Sequence, residues 1–357
     1  MPRLLTGITL LLIFTACETV PTGGASWSRV FFTPSSARDL MFDTDVSVYA
    51  TDRGLFVSTD FKRFHRPSAD LPGDPEIISL AGADGIAEIY AVTDLGYLLR
   101  SNDRAQSFAM IGQFPNTRVV GMALTRNGQL FVASSSGVLV STQNLTGAPA
   151  RRARAYLMPW ETLVLGLPIW RRANLSGDTD LWKDWSVSLD GNAIRIEADP
   201  DNGDHMIAEL FRAGAHQTWD EGMTWNPIVT EEGDTVRGPI AFGPDSRVLI
   251  GRFLSRDGGR TWHATALVPD PEDMMQSRDV EFAAHSAAIT GAGLYVVQYR
   301  AGKVYVSNDG TAWRRIGQAS DFRAREKETA PALLAVDALG KLWLATDRHG
   351  LYRFVDK

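Results

Sequence analysis

One short pattern recurs along this chain and restricts its folding more than any other feature: Ser or Thr, any residue, Asp, any residue, Gly, any residue, Thr, Trp. It is complete at Thr218-Trp219-Asp220-Glu221-Gly222-Met223-Thr224-Trp225 and at Ser255-Arg256-Asp257-Gly258-Gly259-Arg260-Thr261-Trp262. Ser307-Asn308-Asp309-Gly310-Thr311-Ala312-Trp313 is one residue shorter. Worn copies run from Ser101 through Asp103 to Phe108, with Ala105 in place of Gly, and from Ser58 through Asp60 to Phe64. Ser141-Thr142-Gln143 has lost the Asp, and Ser188-Leu189-Asp190-Gly191 ends at Ile194 instead of Trp. A hydroxyl and a carboxylate accept hydrogen bonds from the amides of a tight turn, so they satisfy backbone left open between two strands. Glycine supplies the positive φ. The aromatic ring opens the next strand and stabilises the corner by on the order of a few kcal/mol through burial.

Strand pairs precede these corners with the same regularity. Val48-Tyr49-Ala50-Thr51-Asp52-Arg53-Gly54, Ile89-Tyr90-Ala91-Val92-Thr93-Asp94-Leu95-Gly96 and Leu342-Trp343-Leu344-Ala345-Thr346-Asp347 share one apolar run and one turn. Equivalent positions fall at Tyr49, Tyr90, Phe131, Ile207, Leu249, Tyr295 and Trp343, with steps of 41, 41, 76, 42, 46 and 48 residues. A unit near 42 residues is the length of a four-stranded propeller blade, and the long step is about two ordinary ones. The abundance of turns and aromatics, 32 glycines and 10 tryptophans, leans the same way.

These corners resemble the Asp-box, or BNR repeat, of sialidases, sortilin ectodomains, photosystem II assembly propellers and xyloglucanases, over roughly residues 46 to 357. The resemblance implies an all-β chain forming a single β-propeller. Seven blades are favoured and eight stay open, because residues 148 to 203 decide the number. The last hairpin stops at Lys357 without a fourth strand, while Ser26 to Phe32 is an unpaired strand-like segment. The N-terminal strand is therefore expected to close the ring and remove a sheet edge. The structural corner residues are Thr218, Asp220, Gly222, Trp225, Ser255, Asp257, Gly259, Trp262, Ser307, Asp309, Gly310 and Trp313.

Residues 148–186 break the repeat, as a divergent blade or an insertion. Four of the ten tryptophans, Trp160, Trp170, Trp182 and Trp185, fall there among Arg151, Arg152, Arg154, Arg171 and Arg172. Aromatic and Arg side chains anchor interfaces, and Trp faces suit sugar rings or cations. Trp160, Trp170, Arg171, Arg172, Trp182 and Trp185 are thus candidate binding residues, with a blade core as the other reading.

At the N-terminus one positive charge, an apolar run from Leu4 to Phe14 and small residues lead to Cys17, the one cysteine of the chain. The run reads as a secretory signal over residues 1–16. Phe14-Thr15-Ala16-Cys17 resembles a bacterial lipobox, with Phe14 where Leu is usual. That resemblance implies a lipidated Cys17 at the mature N-terminus, and Glu18 after it favours the outer membrane. Residues 17–26 then form a polar tether and residues 27–357 the propeller.

A formal net charge of −6 argues against a nucleic-acid partner. The six histidines, among them His205, His216 and His263, show no metal-ligand spacing, and no metal or cofactor is expected. The Arg-Ile-Pro motif of sialidases does not occur, so no catalytic residue is carried over from that family. A facing carboxylate pair at the channel mouth would reopen the enzyme reading. The expectation is a membrane-anchored, non-enzymatic binding or assembly scaffold for an envelope protein or glycan. A sialidase-like or other glycosidase with an atypical site, and a carbohydrate-binding propeller without hydrolysis, are the alternatives.

Overall fold

The computed structural model describes residues 26–69, 75–83, 87–114, 117–141, 185–266, 284–298, 303–317, 322 and 331–355. Their strands form seven separate sheets. Blade 1 comprises Ala37–Phe42, Ser47–Thr51 and Gly54–Ser58, with its fourth strand reduced to a bridge between Val57 and His65. Blade 2 comprises Ile77–Ala81, Ile89–Thr93, Tyr97–Ser101 and Ser107–Gln113, with Ser68–Ala69 added in parallel at its outer edge. Blade 3 comprises Val119–Leu124, Leu130–Ser134, Gly137–Ser141 and Trp185–Asp190. Blade 4 comprises Ala193–Ala198, Met206–Leu210, Gly214–Thr218 and Asn226–Pro227. Blade 5 comprises Ile240–Gly243, Arg247–Ile250, Phe253–Ser255 and His263–Ala264. Blade 6 comprises Ala284–Thr290, Gly293–Gln298, Val304–Ser307 and Arg314–Gly317. Blade 7 comprises Pro331–Val336, Leu342–Thr346 and Gly350–Val355, and its fourth strand is Ser26–Phe31.

The first strand of every blade lies against the first strands of the blades on either side, and blade 7 returns to blade 1. The chain is a seven-bladed β-propeller. Its core is accordingly not one cluster but seven, one in each seam. Both faces of each blade are buried, which explains why Ser47–Thr51, Ile89–Thr93, Leu130–Ser134, Met206–Leu210 and Leu342–Thr346 are buried at every position instead of alternating. All seven positions equivalent to Tyr49 are fully or almost fully buried.

The 76-residue step does not contain an eighth blade. Ser141 pairs across from Trp185, so residues 142–184 connect the third and fourth strands of blade 3. Ser188-Leu189-Asp190 is likewise no corner: it belongs to the outermost strand of blade 3, and Gly191-Asn192 turns the chain into blade 4.

The N-terminal strand joins three blades at once. Its backbone pairs antiparallel with Gly350–Val355. Trp27 donates its indole N–H to the carbonyl of Ile316 in blade 6 at 3.0 Å and packs edge-on against Phe354 and Phe322. Phe31 meets Phe56 and Phe64 of blade 1 with ring centroids 5.2 and 5.0 Å away.

Candidate functional site

The seven first strands enclose a central channel of about 750 Å³, within the range of small-molecule and side-chain pockets. Six of these strands carry the same irregularity. The pairing with the second strand slips between Ala37 and Asp39, Ile77 and Ser79, Val119 and Gly121, Ala193 and Arg195, Ala284 and Ser286, and Pro331 and Leu333. Such a bulge twists the strand and redirects a backbone amide. The amide of Leu80 donates to Asp39 at 2.7 Å, that of Met122 to the Ser79 hydroxyl at 3.1 Å, and that of Leu334 to the Ser286 hydroxyl at 3.0 Å. Short polar side chains on one blade thereby latch the next around the channel wall.

Five acids line the channel: Asp39, Asp43, Glu197, Asp199 and Asp337. Four are engaged by the fold. Asp39 accepts from the amides of Leu40 and Leu80 and from Ser79. Asp43 caps the amide of Thr44. Asp199 accepts from the amides of Asp201 and Asn202 and from His205 Nδ1 at 2.9 Å. Asp337 holds its own turn through Leu339 and Lys341 and takes the indole N–H of buried Trp343. Glu197 accepts no hydrogen bond and forms no ion pair among the described residues; its side chain is exposed on the channel wall, with protein all around.

The channel bases are Arg38, Arg126 and Arg195. Arg38 pairs with Glu76 and Arg195 with Glu209, both outside the lining, and Arg126 donates to the carbonyl of Asp201. Enclosure pushes the Glu197 carboxyl up to about 8, helped by the charge of Asp39 and opposed by Arg195. Burial also raises Asp39, against the hydrogen bonds from Leu80, Leu40 and Ser79. Burial opposes the shift at Asp199, yet hydrogen bonds from His205, Asp201 and Asn202 hold it below its ordinary value.

The corner residues sit elsewhere, at the rim. Thr218 Oγ1 accepts the Gly222 amide and donates to Asp220, which accepts the amide and hydroxyl of Thr224, all at 2.8 Å. Ser255, Asp257, Gly259 and Thr261 repeat these bonds at 2.7 to 2.9 Å. Ser307 accepts the Gly310 amide, and Asp309 accepts from Thr311. In each case the corner's aromatic plugs the seam to the preceding blade: Phe108, Trp225, Trp262 and Trp313. Trp185 packs edge-on against Phe114 in the seam between blades 2 and 3, with centroids 5.0 Å apart. Cys17, Trp160, Trp170, Arg171, Arg172 and Trp182 lie outside the described residues.

Sequence reading missed Asp39, Glu197 and His205. The available signal was a charge inside an otherwise apolar strand, as in Ala37-Arg38-Asp39-Leu40 and Ile194-Arg195-Ile196-Glu197. His205 is fully buried and lies flat on Trp219, with centroids 3.8 Å apart and planes 4° from parallel. Among the described residues no group of three or more His, Cys, Asp or Glu is placed to hold a metal.

No family model and no curated protein matches the chain. Solved structures do. One described as YCF48 bound to D1 peptide is similar at 14% identity, with a TM-score of 0.61, over 95% of this chain and 99% of that one. A GH74 enzyme of Niastella koreensis matches at 13% identity and TM-score 0.61 over 91% of this chain, which spans 44% of the enzyme's length. The extracellular domain of a hybrid two-component system from B. thetaiotaomicron matches at 14% identity and TM-score 0.58, covering 92% of this chain and 40% of that one. Identities this low establish the shared fold and nothing finer.

Proposed function

We propose that this chain is a non-enzymatic binding scaffold of the bacterial cell envelope, lipidated at Cys17, that holds a protein or glycan partner at the channel end of the propeller. The observation that carries the reading is the division of labour among the channel acids. Acid–base hydrolysis requires one protonated carboxyl and one free carboxylate. Glu197, with its raised pKa, meets the first condition, but Asp39 is itself raised by burial and spends its oxygens on three hydrogen bonds within the fold, so it is not the free carboxylate that the second requires. What remains is a rigid, latched ring with a polar interior, suited to holding a ligand.

A likeness to YCF48, whose structure contains a D1 peptide, supports a peptide-bearing partner. The corner pattern supports placing the chain among the Asp-box propellers, and the lipobox resemblance supports an outer-membrane anchor. Immobilised protein should retain a defined component from a matched envelope extract and release no reducing sugar from polysaccharides. Cys17→Ser should shift it out of the membrane fraction. Sugar release without retention would transfer the case to the second reading, a glycoside hydrolase, which rests on Asp39 and Glu197 sharing one channel and on the likeness to the GH74 enzyme.

A further inference from the structure

We infer that the channel is a socket for one organic cation, the ammonium of a lysine or the guanidinium of an arginine presented by the partner, with Glu197 as its counter-charge. This rests on the scaffold reading and names the chemistry that the scaffold recognises.

The charge balance of the cavity points there. Two of its three bases are neutralised by acids outside the lining, Arg38 by Glu76 and Arg195 by Glu209. Arg126 alone then faces Asp43, Asp199 and Asp337, beside the raised carboxyls of Asp39 and Glu197. Asp43, Asp199 and Asp337 stand at the end of the channel where the first strands turn into the second, and Glu197 lies one residue inside that mouth. Their hydrogen bonds to backbone amides fix their positions. A cation entering this end is attracted throughout, because a cleft lined by one sign of charge concentrates the opposite sign.

Glu197 is the group that can close on it. Its carboxylate is uncommitted and projects into the cavity, where Asp39 of blade 1 repels its charge and Arg195 on its own strand only partly offsets that. Without a cation, the carboxyl keeps its proton to about pH 8. A bound cation replaces the proton. A divalent metal fits less well, since hard cations take six or more oxygen ligands and Asp39 already points its oxygens at Leu40, Leu80 and Ser79. An ammonium needs only one to three acceptors.

The test uses acetyl-lysine-amide and acetyl-arginine-amide as probes, acetyl-norleucine-amide as the uncharged control, and calorimetry or ligand-detected NMR on the mature protein. With a carboxyl titrating near 8, the ionised fraction rises from roughly 1% at pH 6 to about 90% at pH 9, so affinity for both cations should rise at least about tenfold. Norleucine should not bind. Glu197→Gln and Glu197→Ala, each first shown to melt as a folded protein, should lose the binding and its pH dependence. Equal binding to Glu197→Gln, equal binding of norleucine, failure of both cations to bind wild type near pH 9, or displacement of the probes by calcium at lower concentration would each overturn the socket. Partner retention from extract is scored separately: retention that survives Glu197→Gln refutes the socket and leaves the scaffold standing, whereas absence of retention by wild type refutes the scaffold.

Discussion

The indole N–H of Trp225 donates to Ser188 Oγ at 2.9 Å across the seam between blades 4 and 3, and that same hydroxyl donates to the carbonyl of Gly222 at 2.6 Å. The polar corner of one blade is thereby bolted to the outermost strand of the blade before it. Elsewhere the backbone makes the connection: the Ala266 amide donates to the Gly310 carbonyl, and the Ser68 amide to that of Gln106. The recurrent motif thus holds blades together as well as closing its own hairpin.

Trp225→Ala should cost about 3 kcal/mol and Ser188→Ala about 1 to 2 kcal/mol, measured by denaturant unfolding. The double variant should cost less than the sum, because each removal breaks the same hydrogen bond. Gly222→Ala should be worse than Ser188→Ala. Gly222 has φ +77°, and an added Cβ would stand 2.8 Å from the ring of Phe131. Additive effects of Trp225 and Ser188 would deny the bolt.

Tyr90 is fully buried, and its hydroxyl has no hydrogen-bond partner among the described residues. Burial raises its pKa to about 12. An unpaired buried hydroxyl costs about 1 to 3 kcal/mol, and blade 3 uses Phe131 at the equivalent position. Tyr90→Phe should therefore raise the melting temperature. A fall would mean that the hydroxyl has a partner in solution.

The pH dependence of stability has a defined sign at Glu197. The folded chain keeps this proton to about pH 8, against an ordinary value of 4.5. Between those values the folded state binds more protons than the unfolded one, so stability falls as pH rises. Glu197→Gln should remove that decline, giving a larger gain in melting temperature at about pH 9 than at about pH 5. A gain independent of pH would remove Glu197 as its source.

Trp27→Ala should loosen two blades through one side chain, because Trp27 links Phe354 of its own blade to Ile316 of blade 6 and to Phe322. About 2 to 3 kcal/mol is expected for a partly buried indole. Deleting residues 26–31 should cost more and cause aggregation, since it exposes the edge of Gly350–Val355. Light scattering during thermal melts checks both. Unchanged melting after the deletion would show that the ring does not need its closing strand.

The periodic elements were legible because each blade repeats one local solution: an apolar second strand, a turn and a polar corner. Tyr49, Tyr90 and Trp343 announced that solution in sequence and are buried alike in the structure. The closing role of Ser26–Phe31 was legible for the same reason, as a strand without a partner at one end and a blade lacking one at the other. Blade number was legible only as seven favoured with eight open, because residues 142–184 separate two strands that pair with each other, and spacing alone cannot distinguish that from an extra blade. The channel chemistry was hidden more deeply. Asp39 and Glu197 are 158 positions apart in sequence and face one cavity only through ring closure. No local pattern distinguishes Asp39, which latches Leu80, from Glu197, which latches nothing.

On this proposal the channel end carrying Glu197, and not the rim of polar corners, meets the partner. A photo-cross-linking residue placed at Thr44 or Ala338, beside the channel mouth, tests this against the same residue at Lys62 on the rim, in intact cells. One defined adduct is expected from Thr44 and Ala338, lost in Glu197→Gln, and none from Lys62. An adduct from Lys62 alone, with none at the mouth, would contradict it.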